Sequence, residues 1–275
     1  KAPCGNRENI FRRYVLGKAI AIFNQKGGVG KTTTNINLAA CLALKGRKIL
    51  ILDIDPQGNT TSGVGISKRD LRVSTYELLM EDDMDPRKAV LPTGIKGLDI
   101  IPANVQLAGA EVELVQVEGR ETRLKNALDK VKPDYDYIFI DCPPSLGLLT
   151  INSLTAVESV LIPIQCEFYA LEGVSQLMST IEIVKSKLNK ELEIEGVILS
   201  MFDGRTNLSA QVVEEVKKYF RDRVFTTVIP RNVKLAEAPS FGMPIAQYDP
   251  RSTGAKAYMK FADEFLKLEE EANGS

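Results

Sequence analysis

Eight consecutive residues, Lys26-Gly27-Gly28-Val29-Gly30-Lys31-Thr32-Thr33, combine three glycines, two lysines and two threonines. Those types suit the binding of phosphate. Glycines let backbone N–H groups turn inward around phosphate oxygens. A helix opening directly behind them adds the partial positive charge of its N-terminus. Lys31 is then placed to reach the β- and γ-phosphates, the Thr32 hydroxyl to bind Mg²⁺, and Thr33 to reach the α-phosphate. The ordinary loop G-x-x-x-x-G-K-[ST] would put its first glycine at position 25, which is Gln25. A dinucleotide fingerprint fails as well, because Thr33 stands where G-x-G-x-x-G needs glycine.

Carboxylates supply the second set of chemical groups. Asp53-Ile54-Asp55-Pro56-Gln57-Gly58-Asn59 puts two acids two residues apart on a strand end and its loop. One can stabilise a Mg²⁺ shell while the other orients water for in-line attack on a γ-phosphate; an ordinary acidic turn is the alternative. Asp141 closes Tyr137-Ile138-Phe139-Ile140 and precedes Cys142-Pro143-Pro144. An acid after a hydrophobic strand meets Mg²⁺, usually through water, so Thr32, Asp53 and Asp141 are the expected metal set. The chain has no histidine, which removes His general bases, Ser-His-Asp triads and His-ligated metals. Its four cysteines form no C-x-x-C pair, so neither a zinc ribbon nor a thioredoxin-type site is supported.

These groups need a scaffold. The expected strands are 19–24, 48–53, 98–102, 137–141, 159–164, 196–201 and 224–229, several near-continuous in Ile, Val and Leu, as in strands covered on both faces. Helical patterns fall between them at 32–45, 120–131, 170–188, 207–221 and 254–268. Alternation of this kind predicts an α/β fold with a mostly parallel twisted sheet flanked by helices. With 275 residues, 44% apolar and 26% charged, one domain over 18–268 is expected. Residues 1–17 read as a separate N-terminal extension and 269–275 as a flexible acidic tail. No run is long and apolar enough to span a membrane. No secretory signal is expected, the first apolar run being broken by Arg12 and Arg13, and sparse cysteines suit a reducing compartment.

The net charge is −1, yet residues 201–260 carry ten Lys or Arg against six acids. Arg205, Arg231, Lys234 and Arg251 fall in loop-like segments beside helix starts, where phosphate contacts form. Without tryptophan or aromatic-basic interleaving, the expected mode is sequence-independent contact with duplex backbone.

The double-lysine loop resembles the deviant Walker A of the ParA/MinD ATPases. Asp53 to Asn59 resembles switch I of the Soj/ParA branch, and Ile229-Pro230-Arg231-Asn232 through Glu237-Ala238-Pro239-Ser240 resembles a stretch of chromosomal ParA proteins. The resemblance covers about 18–268. It implies the P-loop NTPase fold of the deviant Walker A type and an ATPase, slow on its own, that uses ATP and Mg²⁺. It implies that Lys26 reaches the nucleotide of a partner subunit in an ATP sandwich homodimer, with Asp55 the catalytic acid beside Lys26 and Lys31. It places Pro230 and Asn232 beside adenine, and it supports Arg205 and Lys234 in non-specific double-stranded DNA binding. It further implies a ParB-type centromere-binding partner, chromosome or plasmid segregation, and a cytoplasmic, nucleoid-associated protein without integral membrane association. Two other readings stand beside it: a MinD-like division-site ATPase, which needs a basic amphipathic C-terminal helix, and a metabolic ligase phosphorylating a carboxylate. Cys142 beside Asp141 is a poor match to the cluster cysteines of nitrogenase iron protein.

Overall fold

The computed structural model describes residues 17–167 and 173–273. Eight strands form one sheet: β1 (Lys18–Ile22), β2 (Ile49–Asp53), β3 (Leu91–Pro92), β4 (Leu98–Ile101), β5 (Tyr137–Asp141), β6 (Ser159–Gln165), β7 (Glu193–Phe202) and β8 (Val224–Pro230). Their spatial order is β3-β4-β2-β5-β1-β6-β7-β8. Every pairing is parallel except β3 with β4. The helices are α1 (Lys31–Leu44), α2 (Asn59–Gly63), α3 (Thr75–Met80), α4 (Leu107–Glu113), α5 (Arg123–Val131), α6 (Leu148–Ala156), α7 (Val174–Lys187), α8 (Asn207–Phe220), α9 (Val233–Glu237), α10 (Ile245–Tyr248) and α11 (Thr253–Asn273).

Strand alternation sorts the core into two halves. Ala19, Ala21 and Phe23 join one apolar cluster with side chains of α5, α6, α7 and α8. Ile20 and Ile22 join the other with α1 and α11, where Phe139 packs against Phe265. Both faces are therefore covered, as the continuous apolar runs require. Each fully buried Phe or Ile contributes about 1.5–3 kcal/mol relative to exposure.

The expected architecture is present, with informative differences at element ends. β3 is not among the expected strands; its two residues, Leu91 and Pro92, border β4. The helix expected from residue 120 begins at Arg123, because a turn through Gly119, at φ +66°, precedes it and Asn152 Oδ1 accepts the Leu124 N–H at 3.1 Å. Residues 170–172 of the helix expected over 170–188 lie outside the described residues, as do residues 1–16. Gly17, expected in the extension, belongs to the fold: its N–H donates to Lys132 O at 3.0 Å, and a Cβ there would lie 2.5 Å from Tyr135 O. The segment from Glu269, expected as a flexible tail, continues α11 to Asn273. The cause is local: Glu269 is buried and accepts from Lys18 Nζ at 2.6 Å.

Candidate functional site

β1, β5 and β2 lie side by side, and the residues expected to do chemistry follow their carboxyl ends. Such ends, where chain connections diverge, are where open α/β sheets bind ligands. The loop from Lys26 to Gly30 joins β1 to α1, and Gly28 and Gly30 take left-handed backbone, at φ +75° and +92°, which glycine adopts without steric cost. A Cβ on Gly27 or Gly28 would meet nothing within 4 Å, so the loop borders open space. Its far side is pinned: Ser200 Oγ donates to Val29 O at 2.8 Å, and the Lys26 N–H donates to Asn24 Oδ1 at 3.0 Å.

Lys31 opens α1 and is 8% exposed. Its Nζ donates to Lys26 O at 3.2 Å. Burial lowers its pKa, opposed by the charges of Asp141 and Asp55. Thr32 Oγ1 donates to Asp141 Oδ2 at 2.7 Å, and Thr60 Oγ1 donates to the same oxygen at 2.8 Å. Asp141 Oδ1 is buried and has no partner among the described residues. A buried acceptor left unmet is costly, so this oxygen is set for a ligand. An acid and a hydroxyl, both oxygen donors, suit Mg²⁺, and the open glycine cradle beside Lys31 suits the phosphates it accompanies; the residues present fit both groups.

Asp53 faces Asp141 across the β2–β5 pair and is fully buried. Burial, then the Asp141 charge, pushes its carboxyl up; burial does the same to Asp141. The oxygens of Asp53 are committed to the loop, Oδ2 accepting from Thr61 N–H and Oγ1 at 2.8 and 2.7 Å, and Oδ1 from Asp55 N–H at 3.2 Å. Geometrically it is a latch on the Asp55–Thr61 segment rather than an open ligand. Asp55 is half-buried, with Oδ1 accepting from Gln57 N–H at 2.9 Å. Sequence reasoning missed Thr60, Thr61 and Ser200. The adjacent hydroxyls after Asn59 were a signal for the first two; Ser200 offered none, since only the pairing of β7 in the sheet brings it under the loop.

A second group gathers beyond β7 and β8. Arg205 lies in the turn between β7 and α8, and the Arg231 N–H donates to Phe202 O at 3.0 Å, which brings the ends of the two strands together. Asn232 caps α9, its Oδ1 accepting from Lys234 and Leu235 N–H at 2.8 and 3.3 Å. Its Nδ2 donates to Thr253 Oγ1 at 2.6 Å, tying α9 to the start of α11 near Arg251. Both functions of the Asn232 amide are thus engaged within the chain, and Pro230 ends β8 beside it.

A parallel α/β sheet with a glycine cradle, a buried helix-opening lysine and a threonine–aspartate pair defines a P-loop nucleotide-binding protein. A sequence family described as AAA domain matches residues 17–194. The sporulation initiation inhibitor protein Soj of Bacillus subtilis is 62% identical over 249 residues, 90% of this chain and 98% of that protein. The chromosome partitioning protein ParA of Myxococcus xanthus is 53% identical, covering 92% and 89%. Among solved structures, a cobyrinic acid a,c-diamide synthase from Mycobacterium smegmatis with bound ATP analogue and magnesium superimposes with TM-score 0.81 at 39% identity, covering 94% and 97%. The chain belongs to the Soj/ParA family of chromosome-partitioning ATPases. No helix of the described residues is long and apolar enough to cross a membrane.

Proposed function

We propose that the chain partitions DNA through an ATP-closed homodimer that binds duplex DNA without sequence preference and is reset by hydrolysis. The observation that carries the nucleotide part is the buried, unmet Asp141 Oδ1 beside Thr32 and Lys31. Kinship to Soj and ParA supports the partitioning role.

The glycine loop receives the phosphates with its N–H groups, and Lys31 exchanges its Lys26 carbonyl for the β- and γ-phosphate oxygens. Thr33, two residues into α1, is assigned to the α-phosphate, and Pro230 and Asn232 to the adenine edge. Thr32 and Asp141 would hold Mg²⁺, which would supply positive charge beside the phosphates. Asp53 keeps the following loop in register through Thr61, and Asp55 on that loop orients the attacking water. Lys26 stands half-buried on the cradle's rim, where its ammonium is assigned to the nucleotide of the second subunit. Arg205, Arg231, Lys234 and Arg251 form the DNA face, doubled in the dimer. A ParB-type partner accelerates a slow intrinsic turnover, and the protein works on the nucleoid in the cytoplasm. Kinship at 62% identity to Soj and 53% to ParA favours this reading over the MinD-like alternative.

The test is duplex binding with ATP, ADP and no nucleotide at two salt concentrations, with light scattering for assembly. Binding that requires ATP, weakens with salt and accompanies a dimer supports the reading. Lys26→Gln should keep ATP binding and lose the dimer. ATP-independent DNA binding by monomer, or a normal dimer in that variant, would overturn it.

A further inference from the structure

Three of the four cations of the rim, Arg205, Arg231 and Lys234, carry a carboxylate of their own. Asp203 grips Arg205 along one edge of the guanidinium: Oδ1 accepts from Nε at 2.8 Å and Oδ2 from Nη2 at 2.7 Å. Oδ1 also accepts the Arg205 N–H at 3.1 Å. Glu237 Oε2 accepts from Lys234 Nζ at 2.8 Å. Arg231 Nη2 lies 3.5 Å from Glu167 Oε1. The side chain of Arg205 is 87% exposed, that of Asp203 22%.

We propose that Asp203 and Glu237 stand in for DNA phosphates in the free subunit and must be displaced by them, so that these two acids set the affinity of the rim low. The inference rests on reading the rim as the DNA face. A carboxylate across the Nε–Nη2 edge uses the same two-point geometry that a phosphate uses, so the two compete for one edge of Arg205. Exposed ion pairs contribute little to stability, and displacement is therefore within reach of an arriving phosphate.

The acids are anchored where they are. Asp203 O accepts from Thr206 N–H and Oγ1, both at 3.1 Å, in the turn that opens α8. Glu237 Oε2 accepts a second bond from Tyr248 Oη at 3.0 Å. After displacement each carboxylate remains beside the phosphate it yielded to. It repels that phosphate and takes up a counterion from solution, which offsets part of the counterion release that drives binding. One subunit then presents a rim of small net charge, and usable affinity requires the doubled face of a dimer. Asp203 and Glu237 would thus make DNA binding depend on assembly.

The sign of the expected effect is opposite to that of losing the cations. Salt titrations of a non-specific duplex, with ATP and Mg²⁺, would compare the full chain with Asp203→Asn, Glu237→Gln, Arg205→Ala, Lys234→Ala and the double variant Asp203→Asn/Arg205→Ala. Asp203→Asn and Glu237→Gln should each bind more tightly and steepen the slope of log K against log salt, by up to ~1.8 for two subunits. That is up to ~60-fold gained between 1 M and 0.1 M salt. Both should also raise the weak binding seen with ADP. In the Arg205→Ala background the Asp203→Asn gain should vanish. If Arg205→Ala and Lys234→Ala leave binding unchanged, the DNA-face reading falls, and this inference with it. If they weaken binding while the acid variants weaken it too or change nothing, the inference alone is overturned. It is equally overturned if Asp203→Asn tightens binding as much without Arg205 as with it.

Discussion

The nucleotide cradle and the basic rim sit at the same end of one sheet, and their charges are arranged in opposite ways. In the cradle, charged and polar groups are buried, and Asp141 Oδ1 is among the acceptors left unmet. On the rim the groups are exposed, and Arg205, Arg231 and Lys234 are each matched with a carboxylate. Burial makes an unmet group expensive, and Asp141 Oδ1 stands where a ligand beside the Thr32 hydroxyl would meet it. Exposure makes charges inexpensive to hold, so they pair with whatever acid is near. The cradle therefore announces its ligand through what is missing, whereas the rim's self-pairing hides its partner.

The largest effects should come from the cradle. Asp55→Ala should keep ATP and lower turnover by ~10²–10⁴, the range for a positioned proton acceptor. Phosphate release and a nucleotide titration measure the two quantities; unchanged turnover would move the role to another residue. Lys31→Ala should weaken ATP binding by ~10²–10³, about 3–4 kcal/mol for removing one partner of a buried charge pair. Calorimetry with ATP tests this, and near-normal affinity would undo the contrast between buried and exposed charge. On the rim, Arg205→Ala or Lys234→Ala should flatten the salt slope of duplex binding by up to ~1.8 in a two-subunit assembly, with ATP affinity unchanged. A slope that does not move in either variant would place the DNA face elsewhere.

Legibility in the sequence follows the same division. The loop from Lys26 to Thr33, Asp141 after its apolar strand, and the covered strands were readable because each needs particular residue types at fixed spacing. Asp53, an acid at a strand end, has the sequence position of a metal ligand. Its engagement by Thr61 and Asp55 depends on how the chain folds back over eight residues, which spacing alone does not encode. The resemblance places Asn232 beside adenine; that its amide also caps α9 and reaches Thr253 is a matter of tertiary packing that spacing does not encode. The end of α11 was missed because three glutamates read as a solvated tail, while Lys18, far away in sequence, draws the first of them into the fold. The rim's carboxylates were counted as charge but not as partners, since Asp203 and Arg205 pair only through the turn between them.

The smallest effect tests whether the frame under the rim can be loosened without touching its charges. β8 is the edge of the sheet, so its outer N–H groups have no strand to bond. Glu264 on α11 serves two of them, accepting from Thr226 N–H at 2.5 Å and Thr227 N–H at 2.8 Å. Burial works to raise its pKa, and the hydrogen bonds from Thr227 and Thr226 outweigh it, holding the carboxyl below its ordinary value. A depressed folded-state pKa means the stabilisation is fully present above the unfolded value of ~4.3 and is lost as pH falls through the folded one. Glu264 is only partly buried, so screening limits the contribution to about 0.5–1 kcal/mol. Glu264→Gln should lower the melting temperature by about 1–4 °C at pH 7. The gap should close as the pH falls below the carboxylate range, because the wild-type side chain is then neutral as well. Thermal melts of both proteins across that range measure it, and a gap of equal size at both ends would assign the effect to packing instead of charge. Duplex binding by the variant should keep the wild-type salt slope, separating the stability of the rim's frame from the charge it carries.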